Sequence, residues 1–211
     1  KNTGTSWSTS GEVWIDAPIT ARLGYANVRL IDVNGDGLSD IVKSTNNGSL
    51  VSFYVYKNNG SGWNTSHQTW VDNANIETHL TRTDTTLADV NGDGLPDIVN
   101  SKTGSTSCRF IWKVLLNKGD RWSTDFDTWI NNEDICASLQ NQDTILVDVN
   151  GDSLLDILKS ADGAPSDSGR SHWDVLLNNG YAPNLLAKVK TSQGGTINFD
   201  YTPSTMFSHK G

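Results

Sequence analysis

Methionine, glutamate and proline are scarce in this chain, with one Met, three Glu (Glu12, Glu77 and Glu133) and five Pro in 211 residues. So few strong helix formers argue against a helical bundle. No apolar run approaches the 18 or so residues of a spanning helix, which excludes a membrane span of that kind. Cationic side chains are outnumbered, 16 Lys and Arg against 24 Asp and Glu, for a net charge of -8. That charge repels phosphate backbones and disfavours nucleic acid as the main partner, so none is expected. The two cysteines, Cys108 and Cys136, fit no zinc or redox spacing; one disulfide can form between them. The chain opens Lys-Asn-Thr-Gly, without initiator Met or signal-like apolar segment, and reads as a processed or excised piece of a longer protein.

Enzymatic signatures are also missing. The four histidines are His67, His79, His172 and His209, and none accompanies a Gly-x-Ser-x-Gly elbow, an HExxH pair or a nucleophilic Cys context. His172 and Asp174 fall on one face of a strand, with no third member of a triad identifiable. Asn-Gly-Asp-Gly carries its own negative charge and is no phosphate loop. The chain is expected not to be an enzyme.

Turn formers and aspartate are what is abundant. Nineteen Gly, with many Asn, Ser and Thr, favour short strands joined by turns. Of the 24 acids, 21 are Asp, a carboxylate suited to turns and metal loops. Nine of them lie in three copies of one motif: Asp32-Val-Asn34-Gly-Asp36-Gly-Leu38-Ser-Asp40, Asp89-Val-Asn91-Gly-Asp93-Gly-Leu95-Pro-Asp97 and Asp148-Val-Asn150-Gly-Asp152-Ser-Leu154-Leu-Asp156. Their first aspartates stand 57 and 59 residues apart. A second landmark keeps the same period: Gly4, Trp7 and Trp14; Gly60, Trp63 and Trp70; Gly119, Trp122 and Trp129. Apolar strands (Val51 to Tyr56, Phe110 to Leu116, Trp173 to Leu177) then run into Asn58-Asn59-Gly60, Asn117-Lys118-Gly119 and Asn178-Asn179-Gly180.

Each unit therefore reads as a strand around the second Trp, a strand into the aspartate loop, a strand out of it and a last strand into the Asn/Gly turn. Four short antiparallel strands make a propeller blade. The expected fold is all-β: three four-stranded propeller-type blades at about 1–59, 60–118 and 119–180, then a β-hairpin and polar tail over 181–211. After Gly180 the pattern fails, because Pro183 stands where Trp is due. Alternation turning on Gly194-Gly195 marks the hairpin. The tryptophans read either as caps on the blade cores or as platforms for sugar rings. Trp14, Trp70 and Trp129, within alternating strands, are expected to be more buried than Trp7, Trp63 and Trp122, which follow a Gly turn.

Oxygen donors at positions 1, 3, 5 and 9 of a tight loop suit a hard cation that takes six to eight oxygens. Asp32, Asn34, Asp36 and Asp40 would supply side chains and Leu38 a carbonyl. The equivalent sets are Asp89, Asn91, Asp93, Leu95 and Asp97, and Asp148, Asn150, Asp152, Leu154 and Asp156. Three crowded carboxylates repel one another without a cation. An EF-hand would need Glu at position 12, where Lys43, Asn100 and Lys159 stand, and its flanks would be helical rather than β-prone. Mg²⁺ fits poorly because it resists shedding water. Ca²⁺ in three strand-loop-strand sites is the expectation; an Asx-rich turn without metal is the alternative. Ser153 takes position 6, where Gly37 and Gly94 supply positive φ, so the third site should be the weakest.

The DxNxDGxxD loop, with Leu at position 7 and a period near 60 residues, resembles the FG-GAP/VCBS repeat of integrin alpha-chain propellers and many bacterial secreted proteins. The resemblance covers about residues 1 to 180. Leu176-Leu-Asn-Asn-Gly, then Asn184-Leu-Leu-Ala-Lys-Val and Gly194-Gly-Thr-Ile-Asn-Phe-Asp-Tyr-Thr-Pro-Ser, is similar to the passage that leaves the FG-GAP region in the B component of Tc-type toxins and in SpvB-like and YD/RHS-repeat proteins. The resemblance implies a calcium-binding, secreted scaffold or interaction module of a larger toxin-like or cell-surface protein. Its expected partners are the remaining polypeptide or other blades, and a protein or glycan ligand. The alternative function is calcium-dependent carbohydrate binding. Three repeats fall short of the four to eight blades that close a propeller, so the array should be part of a larger wheel or need a partner edge.

Overall fold

The computed structural model describes residues 9–15, 19–74, 76–103, 110–132, 136–162, 171–180, 188–191 and 195–199. All regular structure among them is β-strand. The chain divides into two compact units, Lys1–Thr81 and Arg82–Gly211.

The first unit holds one sheet of four strands in sequence order, β1 (Val28–Ile31), β2 (Asp40–Asn46), β3 (Val51–Tyr56) and β4 (Gln68–Asn73), every neighbour antiparallel. Alternation along β3 puts Phe53 and Val55 on one face and Tyr54 and Tyr56 on the other. Phe53 and Val55 pair across to Ser44 and Val42 of β2, and Phe53, Val55 and Val42 are all fully buried. On the other face Val28, Ile41 and Tyr56 form a small core with Ile19, Ala21 and Trp63. The β2–β3 turn closes on Gly48 at φ 89° while Asn47 Oδ1 accepts the N–H groups of Ser49 and Leu50.

The second unit repeats this sheet as β5 (Thr85–Ala88), β6 (Asp97–Thr103), β7 (Phe110–Leu115) and β8 (Asp127–Asn132). A third sheet follows, of β9 (Thr144–Val147), β10 (Asp156–Asp162) and β11 (Ser171–Leu176). Val90, Val99, Phe110, Trp112 and Val114 of the second sheet region pack with Ala137 and Ile157, flanked by Leu139, Leu146 and Leu176. Apolar side chains of one sheet thus meet the opposite face of the next, which is how blades stack. Cys136, beside this core, is disulfide-bonded, and Cys108 is the only other cysteine in the chain.

Each sheet begins with the strand entering the aspartate loop, and its fourth strand is the Trp-bearing strand of the following unit. The first two sheets therefore have four strands. The third has three among the described residues, where Pro183 replaces the Trp landmark. β12 (Lys188–Lys190) and β13 (Thr196–Asn198) pair with each other as the hairpin expected around Gly194-Gly195. The polar tail from Thr202 lies outside the described residues.

The expected tryptophan order holds in one unit and reverses in the next. Trp70 is buried while Trp63 is half-buried, but Trp122 is fully buried and Trp129 is 41% exposed. Trp7 lies outside the described residues. Strict alternation misleads here because pairing runs Phe53 to Val71 and Tyr54 to Thr69, then Trp112 to Ile130 and Lys113 to Thr128, so Trp70 and Trp129 are the extra residues of β-bulges. A bulged side chain leaves the two-residue period, and its neighbours decide its burial. Lys57 lies over the Trp70 ring, whereas Leu116, at the matching position, joins the apolar core instead.

Trp122→Ala should cost about 3–5 kcal/mol of unfolding free energy in chemical denaturation, the range for a buried aromatic. Trp129→Ala should cost less than half as much. Equal losses would contradict the assigned burial.

Candidate metal centre

The three loops share one hydrogen-bond plan. At position 1, Asp32 Oδ1 accepts the Gly35 N–H at 2.8 Å and Oδ2 the Gly37 N–H at 2.7 Å. Asp89 takes Gly92 and Gly94 at 2.8 and 2.7 Å, and Asp148 takes Gly151 and Ser153 at 2.7 and 2.9 Å. At position 5, one oxygen of Asp36, Asp93 and Asp152 accepts the N–H of Leu38, Leu95 and Leu154, each at 2.9 Å. The other accepts the side-chain amide of Asn34, Asn91 or Asn150. These are Asx turns nested in one loop.

Position 9 is different. Asp40, Asp97 and Asp156 are fully buried. One oxygen accepts the N–H of Val33, Val90 or Val149 inside the loop, at 3.3, 3.2 and 3.0 Å. The other accepts the N–H of Asn58, Asn117 or Asn178 from the end of the third strand, each at 2.8 Å. The same asparagines send their side-chain amides to the position-8 carbonyls of Ser39, Pro96 and Leu155. Trp63 and Trp122 add their indole N–H to Ser39 and Pro96 at 2.8 and 2.9 Å. These two tryptophans therefore cap loop carbonyls as well as packing.

Burial raises Asp97 to about 7; the N–H groups of Asn117 and Val90 oppose the shift, and the neighbouring Asp93 and Asp89 charges add to it. Asp40 is raised for the same reasons, burial first, with Asp36 and Asp32 contributing. Each loop thus gathers hard oxygen donors and mutually repelling charge, a donor set that suits a hard cation. Among the described residues, however, no three His, Cys, Asp or Glu side chains converge on one point as a metal cluster. The carboxylate oxygens face backbone N–H groups instead, each with lone-pair capacity to spare. Residues in a loop are close in space but not preassembled around an ion.

Sequence reasoning missed two parts of this plan. Gly35, Gly92 and Gly151 at position 4 also hold positive φ, of 77°, 73° and 78°. Their signal was the unbroken glycine in all three copies. Asn58, Asn117 and Asn178 were seen as turn markers, and only the fold reveals them as partners of the buried carboxylates. Position 6 behaves as expected: Gly37 and Gly94 stand at φ 82° and 84°, and Ser153 at 71° is the one positive-φ non-glycine among the described residues. His172 Nε2 and Asp174 Oδ1 meet at 2.9 Å, exposed on β11.

Residues 32–100 match the FG-GAP-like repeat family. That stretch holds the first two loops and the strands joining them, about a third of the chain, and the third loop reproduces their bonding. No curated protein matches. Among solved structures the chain is similar to a mutant Tc holotoxin pore of Photorhabdus luminescens, with a TM-score of 0.52 and 21% identity over 78% of this chain and 7% of that one. The likeness is one of fold alone, and the chain spans only 7% of the length of that far longer chain.

Two outcomes are expected at these loops. Ser153→Gly should raise unfolding free energy by up to about 1 kcal/mol, since left-handed backbone costs a residue with a Cβ more than glycine loses in entropy. No gain by denaturation would mean that Ser153 carries no strain. Asp97, with a folded value above its unfolded one, favours the native state when protonated, a contribution present at low pH and lost as pH rises through about 7. In chelator, stability should therefore fall as pH rises from about 4 to about 7 and level off above it, and Asp97→Asn should flatten that slope; an unchanged slope would contradict the shift.

Proposed function

We propose that the chain is a calcium-stabilised, non-catalytic propeller module, a structural scaffold within a larger secreted, toxin-like protein. The observation that carries the reading is the threefold repetition of one anionic loop, each with a buried aspartate beside two others. Asp32, Asn34, Asp36 and Asp40, with the Leu38 carbonyl, would hold the first ion. Asp89, Asn91, Asp93, Leu95 and Asp97 would hold the second, and Asp148, Asn150, Asp152, Leu154 and Asp156 the third. A divalent cation supplies positive charge where three carboxylates otherwise repel, and binds the folded loop only. The role is structural: it locks the turn between two strands of each blade.

Secretion is supported by the disulfide at Cys136, a bond that persists in oxidising compartments. The proposed calcium sites would fit the same compartment, because loops of modest affinity, about 10⁻⁴ to 10⁻³ M, fill outside the cell and not in cytosol. The scaffold role rests on the likeness to a segment of a toxin pore assembly, 7% of that chain. Its partners on this reading are further blades and the rest of the polypeptide.

Melting the chain with calcium and with EGTA tests the proposal. Binding to the native state alone should add about 2.7 kcal/mol per site at a hundredfold excess over Kd. A large loss of Tm in EGTA is expected, with the third site the first to empty in a calcium titration. An unchanged Tm would remove calcium from the reading.

A further inference from the structure

Six Asn-Gly steps punctuate the chain, at Asn34, Asn47, Asn59, Asn91, Asn150 and Asn179. Such a step is chemically vulnerable, because glycine has no side chain to keep its backbone nitrogen away from the preceding asparagine amide. Attack of that nitrogen on Cγ closes a succinimide ring and releases the side-chain nitrogen as ammonia. Water then opens the ring at either carbonyl, leaving aspartate or isoaspartate. The reaction needs a glycine nitrogen that can give up its proton and an amide oxygen that can take negative charge. The fold treats the six steps differently on both counts.

In the aspartate loops both groups are tied to carboxylates. The N–H groups of Gly35, Gly92 and Gly151 donate to Asp32, Asp89 and Asp148 at 2.8, 2.8 and 2.7 Å. The side-chain amides of Asn34, Asn91 and Asn150 donate to Asp36, Asp93 and Asp152 at 2.8, 2.9 and 2.9 Å. Removing the glycine proton, or placing charge on the asparagine oxygen, would add negative charge among three carboxylates. The bonding that shapes each loop thus shields its asparagine.

Two turns of the first unit present the opposite arrangement. At the β2–β3 turn, Gly48 donates its N–H to the neutral amide oxygen of Asn46 at 2.8 Å, and Asn47 Oδ1 accepts the N–H groups of Ser49 and Leu50 at 3.0 and 2.8 Å. After β3, Gly60 donates to Asn58 Oδ1 at 2.9 Å, and Asn59 Oδ1 accepts the Ser61 N–H at 3.1 Å and the Ser61 hydroxyl at 3.0 Å. Two donors on one amide oxygen polarise its carbonyl and stabilise the oxyanion formed on attack. Both asparagines are exposed, and residues 46–50 and 58–62 include no acid. Asn179 is exposed as well, but among the described residues no donor reaches its amide oxygen.

We propose that Asn47 and Asn59 are activated sites of spontaneous deamidation, and that the aspartate loops protect Asn34, Asn91 and Asn150 from the same chemistry. The product at either turn gains a negative charge, and its isoaspartyl form lengthens the backbone by a carbon. At Asn59 the change falls between Asn58, whose N–H holds buried Asp40, and Gly62, where a Cβ would collide with the Trp14 carbonyl. Modification there reaches the tie at the base of the first blade, whereas at Asn47 it stays at a hairpin tip. The inference requires neither bound calcium nor the scaffold role.

Incubating the 211-residue chain at mildly alkaline pH, with calcium and with EGTA and below its Tm in each, tests it by peptide mapping that resolves aspartyl from isoaspartyl products. In the folded chain Asn47 and Asn59 should convert at least about tenfold faster than the three loop asparagines, and in denaturing urea the five rates should converge. Ser61→Ala removes one donor and should slow Asn59 about threefold while leaving Asn47 unchanged. Asn46→Ala frees the Gly48 N–H and should speed Asn47 by a similar factor. Both substituted residues are exposed, so both variants should keep the wild-type Tm. Loop asparagines converting as fast as Asn47 and Asn59 in the folded chain, a rate difference that persists in urea, or an Asn59 rate untouched by Ser61→Ala would each overturn the proposal.

Discussion

A buried carboxylate at the end of each aspartate loop is the constraint from which the rest of a blade follows. Leaving such a group without donors would be costly, so Asp40, Asp97 and Asp156 each need N–H groups aimed at both oxygens. One comes from the loop the aspartate closes and the other from an asparagine 18, 20 and 22 residues later, respectively. That pair of bonds ties the loop between the first two strands to the end of the third. The asparagine then turns back to the position-8 carbonyl. In the first two blades an indole N–H does the same. Because the tie is made at the base of the β2–β3 type hairpin, the hairpin's tip can lengthen by a few residues without changing which residues pair.

The loops were legible in the sequence because their chemistry is local. A left-handed position 6, oxygen donors at every second residue and a closing aspartate are all read within nine positions. The left-handed Ser153 followed from its neighbours in the other copies. What was not legible depends on pairing between distant segments. Trp70 and Trp129 lie on strands with convincing alternation, yet a bulge in each strand removes them from it. The fourth strand of each sheet belongs to the following unit by sequence, and no local pattern marks where one sheet ends. The asparagine bond to the buried aspartate spans a whole hairpin and has no signal beyond its recurrence.

The same bonding explains why three carboxylates can share a short loop at all. Backbone N–H groups at positions 4, 6 and 7, together with the position-2 and hairpin donors, surround them with partial positive charge, much as a nest does for an anion. This neutralisation is incomplete: burial first, and then the Asp93 and Asp89 charges, raise Asp97 to about 7 against the N–H groups of Asn117 and Val90. Proton and divalent cation are therefore alternative ways to relieve the remaining repulsion. On the proposed reading they compete, and the buried aspartate couples that competition to the blade because its second oxygen holds the next hairpin. A cation bound in the loop would stiffen the strand ends as well as the turn.

Repetition makes each blade responsible for covering its neighbour, and in such arrays stability is a sum of unit terms and nearest-neighbour interfaces. The interface term here has a polar component and an apolar one. Ser44 and Ser101 accept the N–H groups of Leu80 and Leu139, which sets the register of each approaching segment. Val99, Trp112 and Val114 bury against the Leu/Ile face of the next sheet, which supplies most of the free energy. The serine, the aromatic and the valine recur as Ser160, Trp173 and Val175 in the third sheet, and among the described residues beyond it β12 and β13 pair with each other. The third sheet thus carries the same pairing of an aromatic and a valine beside a serine that, in the second sheet, joins one blade to the next.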